Sequence, residues 1–199
     1  QKGDHQVVEV IDTGIEATHQ AFSGSMDGVD VRLSQSDVEA LVGKLPHGKT
    51  GAYLNNKIPF VFDYADNDAD VLPKSSKDLS HGTHVAAIAA ANAADLQGTA
   101  PHAQIIVAKV ASDKDGSIPD NTVLAALDDA VVIKPDSINL SLGEDAGMGT
   151  EAGTMYAEVY KNLAAAGVTV NAAAGNSYSS AYSNYSGKNK PYASDPDAG

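Results

Sequence analysis

Two side chains in this sequence, Asp12 and His81, have the types and settings that acid–base chemistry requires. Asp12 follows an apolar run at residues 7–11 and precedes Thr-Gly, which predicts a carboxylate at the C-terminal end of a β-strand. Sites in open parallel sheets form outside those strand ends. His81 follows Ser80, a favourable N-cap residue, and is predicted to open an Ala-rich helix over residues 81–94. A single histidine is enough for general-base work.

Both residues also have other interpretations. Asp12 can simply begin a turn before Gly14. Asp-Thr-Gly occurs in aspartic proteases too, but those need a second such triplet or a symmetric dimer, and the chain carries only one. His81 and His84 are neighbours on a helix and could bind a metal. Neither a third ligand at suitable spacing nor the glutamate of the zinc-protease motif accompanies them, so we expect His84 to be a packed structural residue.

A third segment of interest is residues 168–176, Val-Thr-Val-Asn-Ala-Ala-Ala-Gly-Asn. Its small residues allow a neighbouring backbone to approach closely. Asn176 follows a glycine at the end of the predicted strand, where its amide N–H can point towards an oxyanion that develops during acyl transfer. Taken alone, Ala-Gly-Asn is typical of an ordinary turn.

Apolar runs and helical patterns alternate along the chain. Five runs are typical of strands buried on both faces, at residues 7–11, 58–62, 105–110, 138–142 and 168–173. Helical patterns cover residues 81–94, 121–133 and 150–166, and the first of these helices is predicted to bury Val85 and Ile88. The alternation predicts an α/β domain with a parallel, doubly wound sheet, which we expect to be incomplete at its C-terminus.

The remaining stretches are predicted to be an insertion and a tail of this single domain. Residues 22–57 form an insertion, with a short helix near residues 37–45 whose capping box would begin at Ser36. Residues 177–199 are rich in Ser, Tyr, Asn and Gly and are predicted to be a loop-rich tail. The lysines Lys49, Lys57 and Lys188 are interpreted as surface charges.

Composition excludes several classes of function. The 199 residues carry a formal net charge of −13, which argues against nucleic acid and anionic membrane surfaces as partners. The absence of cysteine excludes disulfides, thiolate metal sites and a cysteine nucleophile. No apolar run approaches the ~20 residues of a membrane-spanning helix. The chain opens with Gln-Lys-Gly, and we interpret it as a piece of a larger protein.

Taken together, the motifs resemble those of the subtilase superfamily of serine proteases. The order Asp12, then His-Gly-Thr-His from His81, then Ala-Gly-Asn at Asn176 is the subtilisin order. Two linking segments match as well, Gly-Thr-Ala-Pro at residues 98–101 and Ile-Asn-Leu-Ser-Leu-Gly at residues 138–143. The resemblance implies a subtilisin-like fold over the whole chain.

The same resemblance implies a role for each site residue. Asp12 would orient the imidazole of His81, His81 would carry the proton, and Asn176 would donate to the oxyanion. Leu142 and Gly143 would border the P1 residue of a polypeptide substrate. The backbone of Ser141 would pair with that substrate as an extended strand. The resemblance therefore implies that Asp12, His81 and Asn176 are catalytic and that Ser141, Leu142 and Gly143 bind the substrate.

A narrower resemblance is to the cell-envelope proteases of Gram-positive bacteria, the lactocepin and C5a-peptidase group. It rests on Lys-Ile-Pro-Phe-Val-Phe-Asp-Tyr-Ala-Asp-Asn-Asp at residues 57–68 and on the insertion after Asp12. In that group another domain is inserted between the Asn segment and the nucleophile, and this chain stops about where that domain would begin. The resemblance implies an extracellular, cell-wall-associated parent protein, with the remainder of the catalytic domain as a partner of this segment.

The nucleophile of the family is missing from these residues. The family's Gly-Thr-Ser-Met-Ala motif is absent, and Gly-Thr-Met-Tyr-Ala at residues 153–157 lacks the serine and precedes Asn176. We therefore expect a serine endopeptidase in the parent protein and no activity in this chain alone. The alternative is a catalytically dead binding module that keeps the cleft. An intact set of Asp12, His81 and Asn176 favours the enzyme.

We expect no cofactor and no catalytic metal. The acidic stretch at residues 66–70 suggests calcium, but an EF-hand loop starting at Asp66 would need Gly where Val71 stands and Glu where Lys77 stands. A solvated acidic loop is the favoured interpretation. A structural calcium ion is left open without a location.

Overall fold

The computed structural model describes residues 2–75, 79–143 and 150–173. Its regular elements alternate between strands and helices, as the sequence predicts. The strands are β1 (Val7–Asp12), β2 (Phe60–Asp63), β3 (Gln104–Lys109), β4 (Ser137–Leu140) and β5 (Thr169–Ala172). The helices are α1 (Gln35–Val42), α2 (His81–Ala90), α3 (Asp120–Ile133) and α4 (Thr150–Ala165), with a short 3₁₀ turn at Gln20–Phe22.

The five strands form one parallel sheet in the order β2-β3-β1-β4-β5. The chain therefore winds outward from β1 in both directions, and this confirms the predicted α/β class with a doubly wound parallel sheet. Helix α2 packs on one face of the sheet, whereas α1, α3 and α4 contribute to the apolar cluster on the other face. Because the strands are parallel, the turns that follow β1, β2, β3 and β4 all start at the same, C-terminal end of the sheet. Residues at those strand ends therefore come together.

Several boundaries differ from the prediction because hydrogen bonds from distant residues decide them. Helix α2 ends at Ala90, four residues before the predicted end, because the returning chain takes over its terminal carbonyls. The N–H groups of Gly98, Thr99 and Ala100 donate to the carbonyl oxygens of residues 91, 88 and 89. These acceptors are the ones that a helix C-terminus leaves open.

The first helix begins earlier than predicted. Ser34, not Ser36, is the N-cap of α1, and it forms a reciprocal capping box with Asp37. The predicted burial of Ile88 is also wrong, since its side chain is 59% exposed. The buried residues of α2 are instead small ones, Gly82, Thr83, Ala86 and Ala90, which let the helix lie close to the sheet.

Residues 22–57 carry α1 and reach the sheet through buried polar side chains. The side-chain amide of Gln104, at the start of β3, accepts from the N–H groups of Arg32 and Leu33 and donates to the carbonyl oxygen of Leu33. Further along, Asp129 of α3 accepts from the N–H groups of His47 and Gly48. Residues 177–199 lie outside the described residues. Within the described part of the chain, no helix is long and apolar enough to span a membrane.

Candidate active site

Asp12 is the last residue of β1 and is 1% exposed. Its Oδ1 atom accepts from the backbone N–H of Thr13 at 2.7 Å and from the Thr13 hydroxyl at 3.2 Å. The same oxygen lies 2.8 Å from Nδ1 of His81. Its Oδ2 atom is buried and has no hydrogen-bond partner among the described residues. The carboxylate is thus held rigidly and one of its oxygens faces the imidazole.

His81 is the first residue of α2, and its side chain is 34% exposed. Because a carboxylate can only accept, the proton in this contact belongs to Nδ1 of His81. The neutral imidazole then has its lone pair on Nε2, the nitrogen that a general base uses. The structure therefore brings together Asp12 and His81, which lie 69 residues apart in the sequence.

Two small residues allow this approach. A Cβ atom on Gly82 would overlap the carbonyl oxygen of Gly14 and would stand 3.1 Å from Asp12 Oδ1. The hydroxyl of Thr83 accepts from the N–H of Glu16 at 2.9 Å. The first turn of α2 is therefore fixed directly against the turn that follows Asp12.

The predicted substrate-binding segment continues from the end of β4. Leu140 pairs with Ile11, so the chain beyond it passes beside the end of β1. Ser141 and Leu142 are half-buried and Gly143 is exposed. The side-chain amide of Asn139 donates to the Ser141 hydroxyl at 3.0 Å. Asn176, the predicted oxyanion donor, lies outside the described residues.

Two expectations about single side chains are wrong. His84 is exposed, not packed, because it faces away from the sheet on the same side of α2 as Ile88. Lys57 is not a surface charge, since it is 2% exposed and its ammonium donates to the carbonyl oxygens of Pro101 and Ala103. Burial without a carboxylate partner lowers the pKa of Lys57 to about 7.

Sequence reasoning missed a charged cluster beside the Asp–His pair. The carboxylates of Asp63, Asp66 and Asp113 have oxygens within 4.8 Å of one another, a spacing that would suit a metal ion. Lys109 fills that position instead. Its ammonium contacts Asp63, lies 2.9 Å from Asp113 Oδ1 and 3.6 Å from Asp66 Oδ2. The one signal in the sequence was a lysine closing the apolar run Ile-Ile-Val-Ala-Lys.

Burial and pairing shift the pKa values of Lys109, Asp63 and Asp113 to different extents. Burial favours the neutral form of Lys109, but the carboxylates of Asp113 and Asp63 outweigh it, so the pKa of Lys109 is raised. Burial also raises the pKa of Asp63, which the single ammonium only partly offsets. Burial acts the same way on Asp113, but hydrogen bonds from Lys109 and Lys74 outweigh it and lower the pKa of Asp113.

Comparison with known proteins shows the family of this chain. A sequence model of the subtilase family matches residues 3–197. The chain belongs to the subtilase family. Subtilases are serine proteases, so the contact between Asp12 and His81 occurs in a chain whose relatives hydrolyse peptide bonds.

Curated relatives are much longer than this subtilase segment. The PI-type proteinase of Lactococcus lactis subsp. cremoris is 39% identical over 199 residues, which cover 96% of this chain and 10% of that protein. A C5a peptidase of Streptococcus pyogenes serotype M3 is 29% identical over 207 residues, covering 100% of this chain and 17% of that protein. The chain thus spans about a tenth to a sixth of the relatives that it matches.

Solved structures show the same fold. A cold-adapted subtilisin-like serine proteinase superposes with a TM-score of 0.56 and 24% identity, covering 88% of this chain and 48% of the other. The epidermin leader peptide processing serine protease of Staphylococcus aureus superposes with a TM-score of 0.58 and 17% identity, covering 86% and 37%. The parallel sheet and its helices are therefore subtilisin-like.

Proposed function

We propose that this chain supplies the aspartate and the histidine of an Asp–His–Ser triad in a serine endopeptidase. Asp12 holds the His81 imidazole with its proton on Nδ1 and stabilises the imidazolium that forms during the reaction. His81 takes the proton of the nucleophile and returns it to the leaving amine. The 2.8 Å contact between His81 Nδ1 and the buried Asp12 Oδ1 carries this proposal.

On the substrate side, we place the segment that follows β4. Leu142 and Gly143 border the P1 residue, and the backbone of Ser141 pairs with an extended polypeptide substrate. Support comes from the pairing of Leu140 with Ile11, which brings this segment next to the end of β1. Asn176 is proposed to donate to the oxyanion. A net charge of −13 disfavours nucleic acid as a partner.

The nucleophile is proposed to come from a part of the polypeptide outside these 199 residues, which contain no Gly-Thr-Ser-Met-Ala. The 199-residue chain alone is then inactive, because the members of a triad act as a unit. The reaction needs no cofactor, since the attacking group is an activated hydroxyl. We propose no catalytic metal.

The remainder of the catalytic domain is proposed to cover surfaces that this chain leaves open. Thr169, Asn171 and Ala172 of β5 are exposed at the edge of the sheet, and His84 and Ile88 are exposed on α2. An open edge strand and exposed apolar groups favour association. The chain is similar to bacterial proteinases and to C5a peptidases, and we propose an extracellular, cell-wall-associated parent protein.

The decisive experiment compares the 199-residue chain with a longer polypeptide that continues in its reading frame through the next Gly-Thr-Ser motif. The longer form is expected to cleave a mixture of fluorogenic peptides and to be inactivated by phenylmethylsulfonyl fluoride. In that form, His81→Ala is expected to lower kcat by about four to six orders of magnitude. Glu39→Gln, on the exposed face of α1, serves as the control that keeps full activity.

Two results would contradict the proposal. One is cleavage by the 199-residue chain itself at a rate sensitive to phenylmethylsulfonyl fluoride. The other is full activity of the longer form after the His81→Ala substitution. A reading frame that continues without any Gly-Thr-Ser motif, and whose product binds peptides but cleaves none, would instead establish the catalytically dead binding module.

A further inference from the structure

Lys109 occupies an unusual place at the C-terminal end of an inner strand of the sheet. It is the last residue of β3 and pairs in register with Asp12 of β1 and with Asp63 of β2. Paired residues of parallel strands point to the same side of the sheet. Three polar side chains from three adjacent strand ends therefore share the face on which His81 lies. Lys109 is 1% exposed, so its charge is buried within this row.

The methylene chain of Lys109 supports the turn that follows Asp12. Gly14 has φ +108°, and a Cβ atom on it would stand 2.9 Å from Lys109 Cδ and 2.5 Å from the carbonyl oxygen of Val71. The N–H of Val110 donates to the carbonyl oxygen of Asp12 at 3.0 Å. The turn carrying the carboxylate is thus enclosed by the end of β3 and by the segment around Val71.

The ammonium group of Lys109 is held by Asp113, which has further contacts of its own. Asp113 Oδ2 accepts from the ammonium of Lys74 at 2.6 Å, and its carbonyl oxygen accepts from the hydroxyl of Ser75. The N–H of Asp113 donates to Asp66 Oδ2 at 2.7 Å. These contacts hold Asp113, and through it the ammonium of Lys109, in place against Lys74 and Ser75.

We propose that Lys109 is a positioning residue for the Asp12–His81 pair, an internal cation whose side chain packs against the turn after Asp12 and fixes it. Its ammonium binds Asp63 and Asp113 and forms no ion pair with Asp12, so Lys109 acts on the pair through the turn at Gly14. A buried ion pair is weak evidence for a gain in stability, but it holds its members in one arrangement. The effect on rate rests on the proposed function, whereas the effect on geometry does not.

The charge of Lys109 has to be separated from its positioning effect. Lys109→Met alone leaves Asp63 buried and unpaired, which destabilises the chain for a trivial reason. The double variant Asp63→Asn/Lys109→Met removes both charges and keeps similar volumes. Lys74→Met is the matched control, because Lys74 binds the same Asp113 but is 42% exposed, and exposed pairs contribute little.

The first readout is proton NMR of the 199-residue chain, which needs no activity. In the wild type we expect a low-field, slowly exchanging resonance from the Nδ1–H of His81, because Asp12 accepts it. In the double variant we expect a cooperatively folded chain in which this proton exchanges with water about tenfold faster or is lost, a factor of ten being ~1.4 kcal/mol of local opening. Lys74→Met is expected to keep the resonance.

The second readout is kcat and KM of the longer polypeptide. Misplacement of a catalytic group by about 1 Å costs up to about a hundredfold in rate, so the double variant should lose about tenfold to a hundredfold in kcat, with KM nearly unchanged. If the longer polypeptide is inactive while the resonance behaves as expected, the proposed function fails and the positioning role stands.

Two outcomes would overturn the positioning role. A folded double variant with an unaltered His81 resonance would show that Lys109 does not hold the pair in place. A double variant that fails to fold, with Lys74→Met folded, would assign Lys109 to the stability of the whole domain instead.

Discussion

The substitution Glu9→Gln is expected to stabilise the chain increasingly as the pH rises from 4.5 towards about 8. Glu9 lies in the middle of β1 and is fully buried, with neither carboxyl oxygen paired to any described residue. Its neighbour on α3 is Asp129, which accepts from the N–H groups of His47 and Gly48 and from the hydroxyl of Tyr64. Three donors suit a carboxylate at Asp129, so the proton is expected on Glu9.

The direction of this pH dependence follows from the difference between the pKa values of Glu9 in the folded and the unfolded chain. Burial, together with the charge of Asp129, raises the pKa of Glu9 from 4.5 to about 8. The folded chain therefore holds a proton that the unfolded chain releases. The stability that this proton confers is complete below pH 4.5 and is lost as the pH rises through about 8.

The magnitude is large for one residue. The difference between 4.5 and about 8 corresponds to at most about 5 kcal/mol, at ~1.36 kcal/mol per pKa unit, and about 3 kcal/mol of it is already lost at pH 7. Glutamine has the shape of the protonated side chain and cannot ionise. The free energy of unfolding of Glu9→Gln minus that of the wild type should therefore grow by about 3 to 4 kcal/mol between pH 5 and pH 8.

Urea denaturation at a series of pH values measures this difference directly. Glu39→Gln is the matched control, since Glu39 is exposed on α1 and its replacement should give a small difference that does not vary with pH. A Glu9→Gln difference that stays constant within about 0.5 kcal/mol across the range would refute the burial of an ionisable Glu9.

Three further outcomes follow from the same structure. Gly82→Ala should cost about 1 to 3 kcal/mol in urea denaturation, because its methyl group overlaps the carbonyl oxygen of Gly14; an unchanged midpoint would contradict the close packing of α2. Lys57→Met should stabilise the chain most below pH 7, where the buried ammonium is charged and lowers the stability of the folded state. Because burial lowers the pKa of Lys57, this gain in the free energy of unfolding should shrink as the pH rises towards 10.5. A gain independent of pH would argue against the burial of Lys57. Calcium added in an NMR titration should leave the amide signals of Asp63 and Asp113 in place, since the Lys109 ammonium already lies among their carboxylates; saturable shifts there would contradict it.

Much of the fold could be predicted because its signals are local. Four apolar residues among the five before Asp12 are enough to predict a buried strand, and an Ala-rich stretch after Ser80 is enough to predict a helix. Asp12 ends the first of these elements and His81 begins the second, so the sequence also predicted the two residues whose side chains meet at 2.8 Å. Element boundaries depend on residues that are distant in the sequence. Helix α2 ends at Ala90, earlier than predicted, because distant N–H groups donate to its last carbonyl oxygens.

The charges inside the molecule were not predictable in the same way. Lys109 and Asp63 lie 46 residues apart, and Lys57 donates to carbonyl groups 44 and 46 residues away. No periodicity in the sequence connects them, and a lysine or glutamate read alone is expected at the surface. Burial of such a group depends on which strands become neighbours.

The sequence by itself determined the family, the parallel α/β class and the choice of Asp12 and His81 as a candidate pair. Motifs and apolar periodicity are local features of the sequence, which is why they could be recognised without the structure. Only the tertiary structure decided that Glu9, Lys57 and Lys109 are buried and that His84 is exposed. The physical reason is that desolvation and pairing act between residues that are close in space. Which groups those are is settled when the strand order β2-β3-β1-β4-β5 brings their ends together.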